Sequence, residues 1–205
     1  MKSPLIMGND IRIITPKALS ILSNPAVIAI SQDPAGSSAA RRYFYSTNST
    51  SPYDGSSLQM WSGSLTSTTG GTYTDQVVLL INGSPETQLM NASLAEIFVD
   101  SGPSGKAKQV GLSWEVRDLW AGRMSDEIAA AIIAGNSTMS SNGTNYEVWN
   151  ATATSYKDGL AAKSEVLLGS VTQTLAPMGT IQASVAAHGA AMFRLRYVDT
   201  AKSEL

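Results

Sequence analysis

The sequence contains no cysteine and a single histidine, His188, among its 205 residues. A chain without cysteine forms neither disulfides nor thiolate metal sites, and one histidine excludes metal sites built from several imidazoles. A Ser-His-Asp triad would have to use His188, but this residue lies in a short predicted turn and no G-x-S-x-G motif accompanies it. We therefore predict no metal site, no serine-hydrolase site, and a turn or packing role for His188.

Charged residues are also scarce. They make up 15% of the chain, and the formal net charge is −2. Such a chain lacks the basic surface that binds nucleic acid or anionic membranes. It also has no apolar segment of bilayer-spanning length and no G-x-x-x-x-G-K-[S/T] phosphate loop. Nucleic acid, membranes and cofactors are therefore not expected as partners.

The N-terminus lacks the features of a secretory signal, yet the chain is rich in N-glycosylation sequons. Residues 1–7 include no apolar stretch of sufficient length and no small-residue cleavage site. A chain with this Ser and Thr content would gather about two sequons by chance. The excess favours a secreted glycoprotein, of which we expect this chain to be one piece. The predicted glycosylation sites are Asn48, Asn82, Asn91, Asn136, Asn142 and Asn150.

Residues 1–36 have the pattern of a parallel βαβ unit. Residues 4–7 and 26–30 are short, continuous apolar runs, which is typical of strands buried on both faces. Between them, Thr15 and Pro16 form a helix start signal, and the proline at position 25 ends that helix. Two parallel strands cannot form a sheet alone, so this pattern predicts part of a larger domain.

From about residue 40 onward, short strands alternate with turns. This spacing favours an antiparallel sandwich, and we predict one domain over residues 37–205. A helix is expected in the alanine-rich stretch after Ser125, and an exposed excursion over 136–159. Residues 82–85 and 101–105 carry strong turn signals. The predicted strands are 42–45, 58–62, 76–81, 94–99, 111–116, 166–168, 180–185 and 190–197.

A glycosidase needs two carboxylates facing each other across the scissile bond, and the sequence offers no clear pair. Asp10 and Asp33 each follow a predicted parallel strand, where active-site loops of a barrel gather. Both also lie in turns, where aspartate caps backbone N–H groups. Asp75 and Asp100 flank predicted strands, and Asp118 lies near two tryptophans. We predict structural roles for all five and name no catalytic residue.

The tryptophans leave a second interpretation open. Exposed, coplanar indole rings would bind sugars, and the chain would then be a stand-alone carbohydrate-binding module. Burial in a sandwich core is the commoner fate of such residues. The four tryptophans are Trp61, Trp114, Trp120 and Trp149.

Four strings in the sequence resemble glycoside hydrolase family 27. Their order and spacing also agree with that family, so the resemblance covers essentially the whole chain. MKSPLIMGNDIR at 1–12 is similar to that family's seventh barrel strand and turn, and LSNPAVIAISQDPAG at 22–36 to its eighth-strand motif. In the second string, Ser31 and Ala35 replace the usual Asn and Leu. EVRDLW at 115–120 and HGAAMFRL at 188–195 resemble the C-terminal β-domain.

This resemblance implies a mainly β chain: the last βαβ piece of a (β/α)8 barrel at 1–36, followed by an antiparallel β-sandwich at 37–205. The family's activity would be that of a retaining α-galactosidase, secreted when intact. Both catalytic aspartates would lie upstream of Met1, so the α-galactoside substrate would bind only through the missing barrel, and the chain alone is expected to be inactive. A relative such as an α-N-acetylgalactosaminidase or a β-L-arabinopyranosidase remains an alternative.

Overall fold

The computed structural model describes residues 7–8, 10–35, 38–46, 56–68, 73–135, 140–141, 144–145 and 149–198. These residues divide into two compact units. The helical unit comprises the described residues within Ser3–Asp33 and Leu119–Ser170, and the β unit those within Pro34–Asp118 and Val171–Leu205. Among the described helices, none combines the length and the hydropathy needed to cross a bilayer.

The secondary structure is numbered along the chain. The α-helices are α1 (Pro16–Leu22), α2 (Pro25–Ser31), α3 (Leu94–Ile97), α4 (Gly102–Val110), α5 (Asp126–Ile133), α6 (Tyr156–Ala161) and α7 (Glu165–Leu168). The strands are β1 (Ala40–Ser46), β2 (Ser57–Ser64), β3 (Gln76–Asn82), β4 (Gln88–Ser93), β5 (Trp114–Asp118), β6 (Ser140–Ser141), β7 (Thr144–Asn145), β8 (Ser170–Leu175), β9 (Thr180–Val185) and β10 (Ala190–Tyr197).

Both helices of the N-terminal segment begin with a polar cap followed by proline. The Thr15 hydroxyl accepts a hydrogen bond from the N–H of Ala18 at the start of α1. At the start of α2, Asn24 Oδ1 accepts from two backbone N–H groups, and Asn24 Nδ2 donates to the carbonyl of Leu119 at 2.9 Å. Since Asn24 is fully buried, this amide fixes α2 to the chain that precedes α5.

The prediction of a strand at 26–30 is wrong, because these residues lie in α2. The eighth-strand interpretation of the string at 22–36 is therefore wrong in its secondary structure, and with it the βαβ pattern. The other predicted strand, at 4–7, lies outside the described residues except for Met7. The assignment of 1–36 to a barrel stays a prediction.

Residues 119–170 belong to the same compact unit as the N-terminal helices, whereas the sequence predicts them in the domain at 37–205. The apolar faces of α1 and α2 need cover, and the later helices provide it in two buried clusters. In one, α5 packs on Leu19 of α1. The other surrounds Ala29 of α2. Their buried members are, respectively, Met124, Ile128 and Ala129, and Ala29, Leu160, Leu167 and Leu168.

The β unit contains the antiparallel sandwich that the sequence predicts. Its larger sheet has the strand order β1-β2-β3-β10-β5-β8, with antiparallel pairing from β1 through to β5. The smaller sheet pairs β4 with β9, also antiparallel. Side chains of both sheets share one buried core, in which the rings of Trp114 and Phe98 lie 4.8 Å apart.

Three local predictions for residues 94–168 are wrong. Residues 94–99 form α3 and a 3₁₀ turn, because Ser93 and Glu96 make a capping box. Residues 166–168 lie in α7, and the turn signal at 101–105 lies at the start of α4, which has proline in its first turn. The predicted excursion at 136–159 contains β6, β7 and part of α6, although much of it lies outside the described residues.

Two helical glycines provide a matched test of the packing. A methyl group at Gly159 in α6 would lie 2.5 Å from the Trp149 ring, whereas at Gly105 in α4 the nearest atom would be 3.4 Å away. Gly159→Ala should therefore be destabilising, since overpacking costs about 1–3 kcal/mol, against about 1 kcal/mol gained in helix propensity. Gly105→Ala should be stabilising by about 0.4–1 kcal/mol. Chemical denaturation of both variants tests this, and equal stabilisation would contradict the contact between Trp149 and α6.

Candidate functional site

The two aspartates that follow the predicted barrel strands are not arranged for catalysis. Asp10 Oδ1 accepts from the backbone N–H of Arg12 at 3.0 Å, and its Oδ2 lies 2.8 Å from Nη2 of the same arginine. These bonds from Arg12 lower the pKa of Asp10, so this carboxyl is an ionised turn cap and a poor proton donor. Asp33 is only 5% exposed and is also engaged with a neighbour.

Asp100, Asp118 and His188 also occupy structural positions. Asp100 Oδ2 pairs with Nη1 of Arg42 at 2.5 Å. Asp118 is the last residue of β5, and its side chain or backbone is engaged with a neighbouring group. His188 lies in the turn between β9 and β10 with a φ of 51°, and its backbone N–H donates to the backbone carbonyl of Ser84. Asp100 and His188 thus take part in local contacts of the fold, and the structural role of Asp118 stays a prediction.

The tryptophans do not form an exposed sugar-stacking surface. Trp114 is completely buried, and its indole N–H donates to the carbonyl of Gln109 at 2.9 Å. The other three are half-buried, and none is among the exposed large apolar residues of the described chain. Because stacking on a sugar needs an open ring face, the structure does not favour the carbohydrate-binding module.

The structure brings together charged side chains that the sequence pattern does not single out. Along β10, Leu195 faces the core, so Arg194 and Arg196 lie on the opposite face of the sheet. On β5, Arg117 is paired with Arg194 and Glu115 with Arg196. Asp75, directly before β3, joins this group. The buried charge cluster comprises Thr68, Asp75, Glu115, Arg117, Arg194 and Arg196.

Asp75 lies between two arginines and a threonine. Its Oδ2 accepts from the Thr68 hydroxyl at 2.7 Å and lies 3.9 Å from the Nε atoms of both Arg194 and Arg196. The Thr68 hydroxyl in turn accepts from Arg196 Nε at 2.8 Å. This threonine therefore links the carboxylate and one guanidinium through a single oxygen.

Glu115 neutralises part of the remaining positive charge. Its Oε1 lies 2.5 Å from Arg117 Nε and 3.4 Å from Arg196 Nη1. Three guanidiniums thus lie close to the carboxylates of Asp75 and Glu115. Arg196 is the link between the two carboxylates, Asp75 and Glu115.

The electrostatics of Asp75 would suit a general acid, but its surroundings do not. Burial raises the pKa of this carboxyl, and the hydrogen bond from Thr68 and the charges of Arg194 and Arg196 oppose that effect. A carboxyl with a raised pKa is a candidate catalytic acid. Asp75, however, is 1% exposed, so no substrate reaches it. We interpret the cluster as a structural link between β10, β5 and the chain that enters β3.

A shallow groove of about 430 Å³ lies on the surface of the β unit beside α3 and α4. Its lining is mostly apolar, with Lys106 as a cation and Met178 almost fully open to solvent. No carboxylate and no aromatic ring line it, so it has neither the acids of a glycosidase nor a stacking surface for a sugar. Within the described ranges, no three potential metal-binding side chains come together.

Comparison with known proteins shows that the chain is similar to α-galactosidases. Residues 55–144 match the family described as the alpha galactosidase C-terminal beta sandwich domain. α-Galactosidase 2 of Saccharomyces cerevisiae is 40% identical over 196 residues, which is 96% of this chain and 39% of that protein. The chain therefore spans about two fifths of the length of this relative.

Solved structures agree with this match. The α-galactosidase of Saccharomyces cerevisiae superposes with a TM-score of 0.82 at 38% identity, over 96% of this chain and 41% of that one. α-Galactosidase I of Mortierella vinacea, at 24% identity and a TM-score of 0.54 over 98% of this chain and 33% of that one, shares the fold. Residues 55–144 therefore contain the C-terminal β-sandwich domain of α-galactosidases, and the chain as a whole is similar to the C-terminal portion of the yeast enzymes.

Proposed function

We propose that this chain forms the C-terminal portion of a retaining α-galactosidase that releases terminal α-linked galactose from oligosaccharides and galactomannans. The observation that carries the proposal is the 40% identity to a yeast α-galactosidase across 96% of the chain. A yeast enzyme of the same kind has been solved with raffinose, an oligosaccharide, which supports this class of substrate.

On this proposal, the chain contributes structure and not the reacting groups. Three of the five aspartates considered as catalytic acids have structural partners: Asp10 in a turn, Asp75 in the buried charge cluster and Asp100 with Arg42. None of them faces a second carboxylate across a space open to a sugar. Hydrolysis would then require the part of the family's fold in which the resemblance places both catalytic aspartates.

We also assign the protein to the secretory pathway as a glycoprotein. The support is the excess of sequons over the number expected by chance, six against about two. N-linked glycans are typical of proteins that pass through the secretory pathway.

A chimera tests the proposed role. The corresponding C-terminal part of the Saccharomyces cerevisiae α-galactosidase is replaced by this chain, and turnover of a chromogenic α-galactoside is measured for the chimera, the pure chain and the yeast enzyme lacking that part. We expect turnover by the chimera alone. Turnover by the pure chain would contradict the proposal, as would a chimera that is soluble and monodisperse but inactive.

A further inference from the structure

Three of the six sequons lie in the described residues, and their asparagines have three different environments. Asn82 is completely buried, whereas Asn91 and Asn150 are exposed. The side-chain amide nitrogen is the atom to which an N-linked glycan is attached. What surrounds this nitrogen therefore decides whether the folded protein has room for the sugar.

The amide nitrogen of Asn82 has no room for a glycan. Its Nδ2 is 2.7, 2.9 and 3.0 Å from the backbone carbonyl oxygens of Glu86, Val185 and Ala186. Its Oδ1 accepts from the N–H and from the hydroxyl of Ser84. Asn82 thus holds the turn after β3 against the end of β9, and the serine of its sequon belongs to the same turn. A sugar on Nδ2 would replace one of its two hydrogens and enter the buried space between these carbonyls.

Asn91 points away from the core. It lies on β4 between Met90 and Ala92, which are both buried, so the alternation of the strand directs its side chain to the outer face. Its backbone carbonyl accepts a hydrogen bond from the Tyr43 hydroxyl at 3.0 Å, and its backbone is paired with Gln182 of β9. Leu89, on the same face, is 66% exposed, so this surface is open next to the asparagine.

The amide oxygen of Asn150 is hydrogen-bonded, whereas its amide nitrogen has no partner among the described residues. Its Oδ1 accepts from the N–H groups of Thr152 and Ala153 at 3.1 and 3.2 Å, which closes a turn before α6. N-glycosylation leaves the amide oxygen in place, so the turn persists with a glycan attached. The side chain is exposed, and Thr152 completes the sequon from within the turn.

We propose that Asn91 and Asn150 carry N-linked glycans in the folded protein and that Asn82 does not. In the transfer, the amide Nδ2 forms a bond to C1 of the first sugar of a lipid-diphosphate-linked oligosaccharide. The C1–oxygen bond breaks, the lipid diphosphate leaves, and the nitrogen loses one proton. Because transfer precedes folding, a chain modified at Asn82 cannot place Nδ2 among the carbonyls of Glu86, Val185 and Ala186 and does not reach the folded state. This inference rests on the proposed entry into the secretory pathway.

The test secretes the full chain from yeast behind a secretion leader, so that entry into the pathway is supplied. Protein recovered from the medium is trimmed to one sugar at each occupied site and mapped by peptide mass spectrometry. We expect this sugar on the peptides of Asn91 and Asn150 and none on that of Asn82. A trimmed sugar on Asn82 in soluble protein, or unmodified Asn91 or Asn150 in the secreted chain, would overturn the proposal. Absence of natural secretion would count against the proposed function alone.

Matched variants give a second readout. Asn91→Gln and Thr152→Ala each remove one sequon and should each increase electrophoretic mobility by the equivalent of one glycan. Ser84→Ala removes the sequon at Asn82 but keeps the three bonds from its amide nitrogen, so the variant should fold and migrate as the parent chain does. A mobility shift for Ser84→Ala, or none for the other two, would contradict the assignment.

Discussion

Replacing Asp75 by alanine should lower the free energy of unfolding of the chain by about 3–5 kcal/mol, the typical cost of removing one partner from a buried ion pair. The carboxylate is 1% exposed and faces Arg194 and Arg196, which are also buried. Its removal places an alanine methyl beside two guanidiniums, and Thr68 loses the acceptor of its hydroxyl hydrogen. Urea denaturation, followed by tryptophan fluorescence, measures the change.

The pair of Asp100 with Arg42 is the matched control. The Asp100 side chain is 69% exposed, and Arg42 also donates to the Ser62 hydroxyl. Asp100→Ala should therefore cost only about 0–1 kcal/mol, as for other exposed pairs. Similar losses for the two variants would contradict a role for burial in the charge cluster.

Asp75→Asn separates the charge from the hydrogen bond. Burial raises the pKa of Asp75 in the folded chain. A carboxyl of this kind contributes stability that is complete below its unfolded pKa of about 3.9 and is lost as the pH rises through the folded value. Asparagine does not titrate. As the pH rises from the unfolded to the folded pKa of Asp75, the free energy of unfolding should therefore fall less in the variant than in the parent chain. Denaturation at a series of acidic pH values shows the difference.

Asn82→Ala should be nearly as damaging, with an expected loss of about 3 kcal/mol or more. Each buried polar group left without a partner costs about 1–3 kcal/mol. The Val185 carbonyl loses its amide donor and the Ser84 N–H its acceptor, whereas the carbonyls of Glu86 and Ala186 keep the Ser84 hydroxyl and the Gly189 N–H as donors. In all, the substitution removes three hydrogen bonds from Nδ2 of Asn82. These bonds join the turn after β3 to the end of β9. The measurement is chemical denaturation of protein produced in bacteria, in which no glycan is added.

Asn91→Ala is the control for Asn82→Ala, because the same change is made at an exposed strand position. It should alter the free energy of unfolding by no more than about 0.5 kcal/mol. An equal loss of stability in both variants would contradict the proposed contribution of the Asn82 hydrogen bonds to the free energy of unfolding.

The strands of the sandwich were the most predictable part of the fold, because alternation and turn signals give a direct reading of exposed and buried faces. α2 was misread for a physical reason. A five-residue apolar run at 26–30 is compatible with a buried strand or a buried helix. Asn24 and Pro25, which end α1, are also an N-cap and first-turn proline for the next helix. The capping box of Ser93 and Glu96 was a usable signal for α3.

The buried charge cluster and the role of Asn82 could not be read from local sequence. Alternation places Arg194 and Arg196 on one face of β10, but their contact with Asp75 depends on strand pairing and on the path of the chain into β3. The sequence Asn82-Gly83-Ser84 fits both a glycosylation site and a structural turn. The three carbonyls around Nδ2 of Asn82 indicate the structural turn, and they come from residues that are distant in the sequence or beyond the motif. The register of distant strands sets both arrangements.

The place of β10 in the larger sheet also determines when the β unit can form as the chain is synthesised. β10 lies between β3 and β5, and both of these strands are made long before it. Until residues 190–197 leave the ribosome, each neighbour has an unpaired edge, and the core lacks Phe193 and Leu195. Unpaired edges of this kind associate readily with other chains. The nascent chain therefore stays open to aggregation until almost all of its described residues have been made, and the sandwich closes in a late step when its central strand arrives.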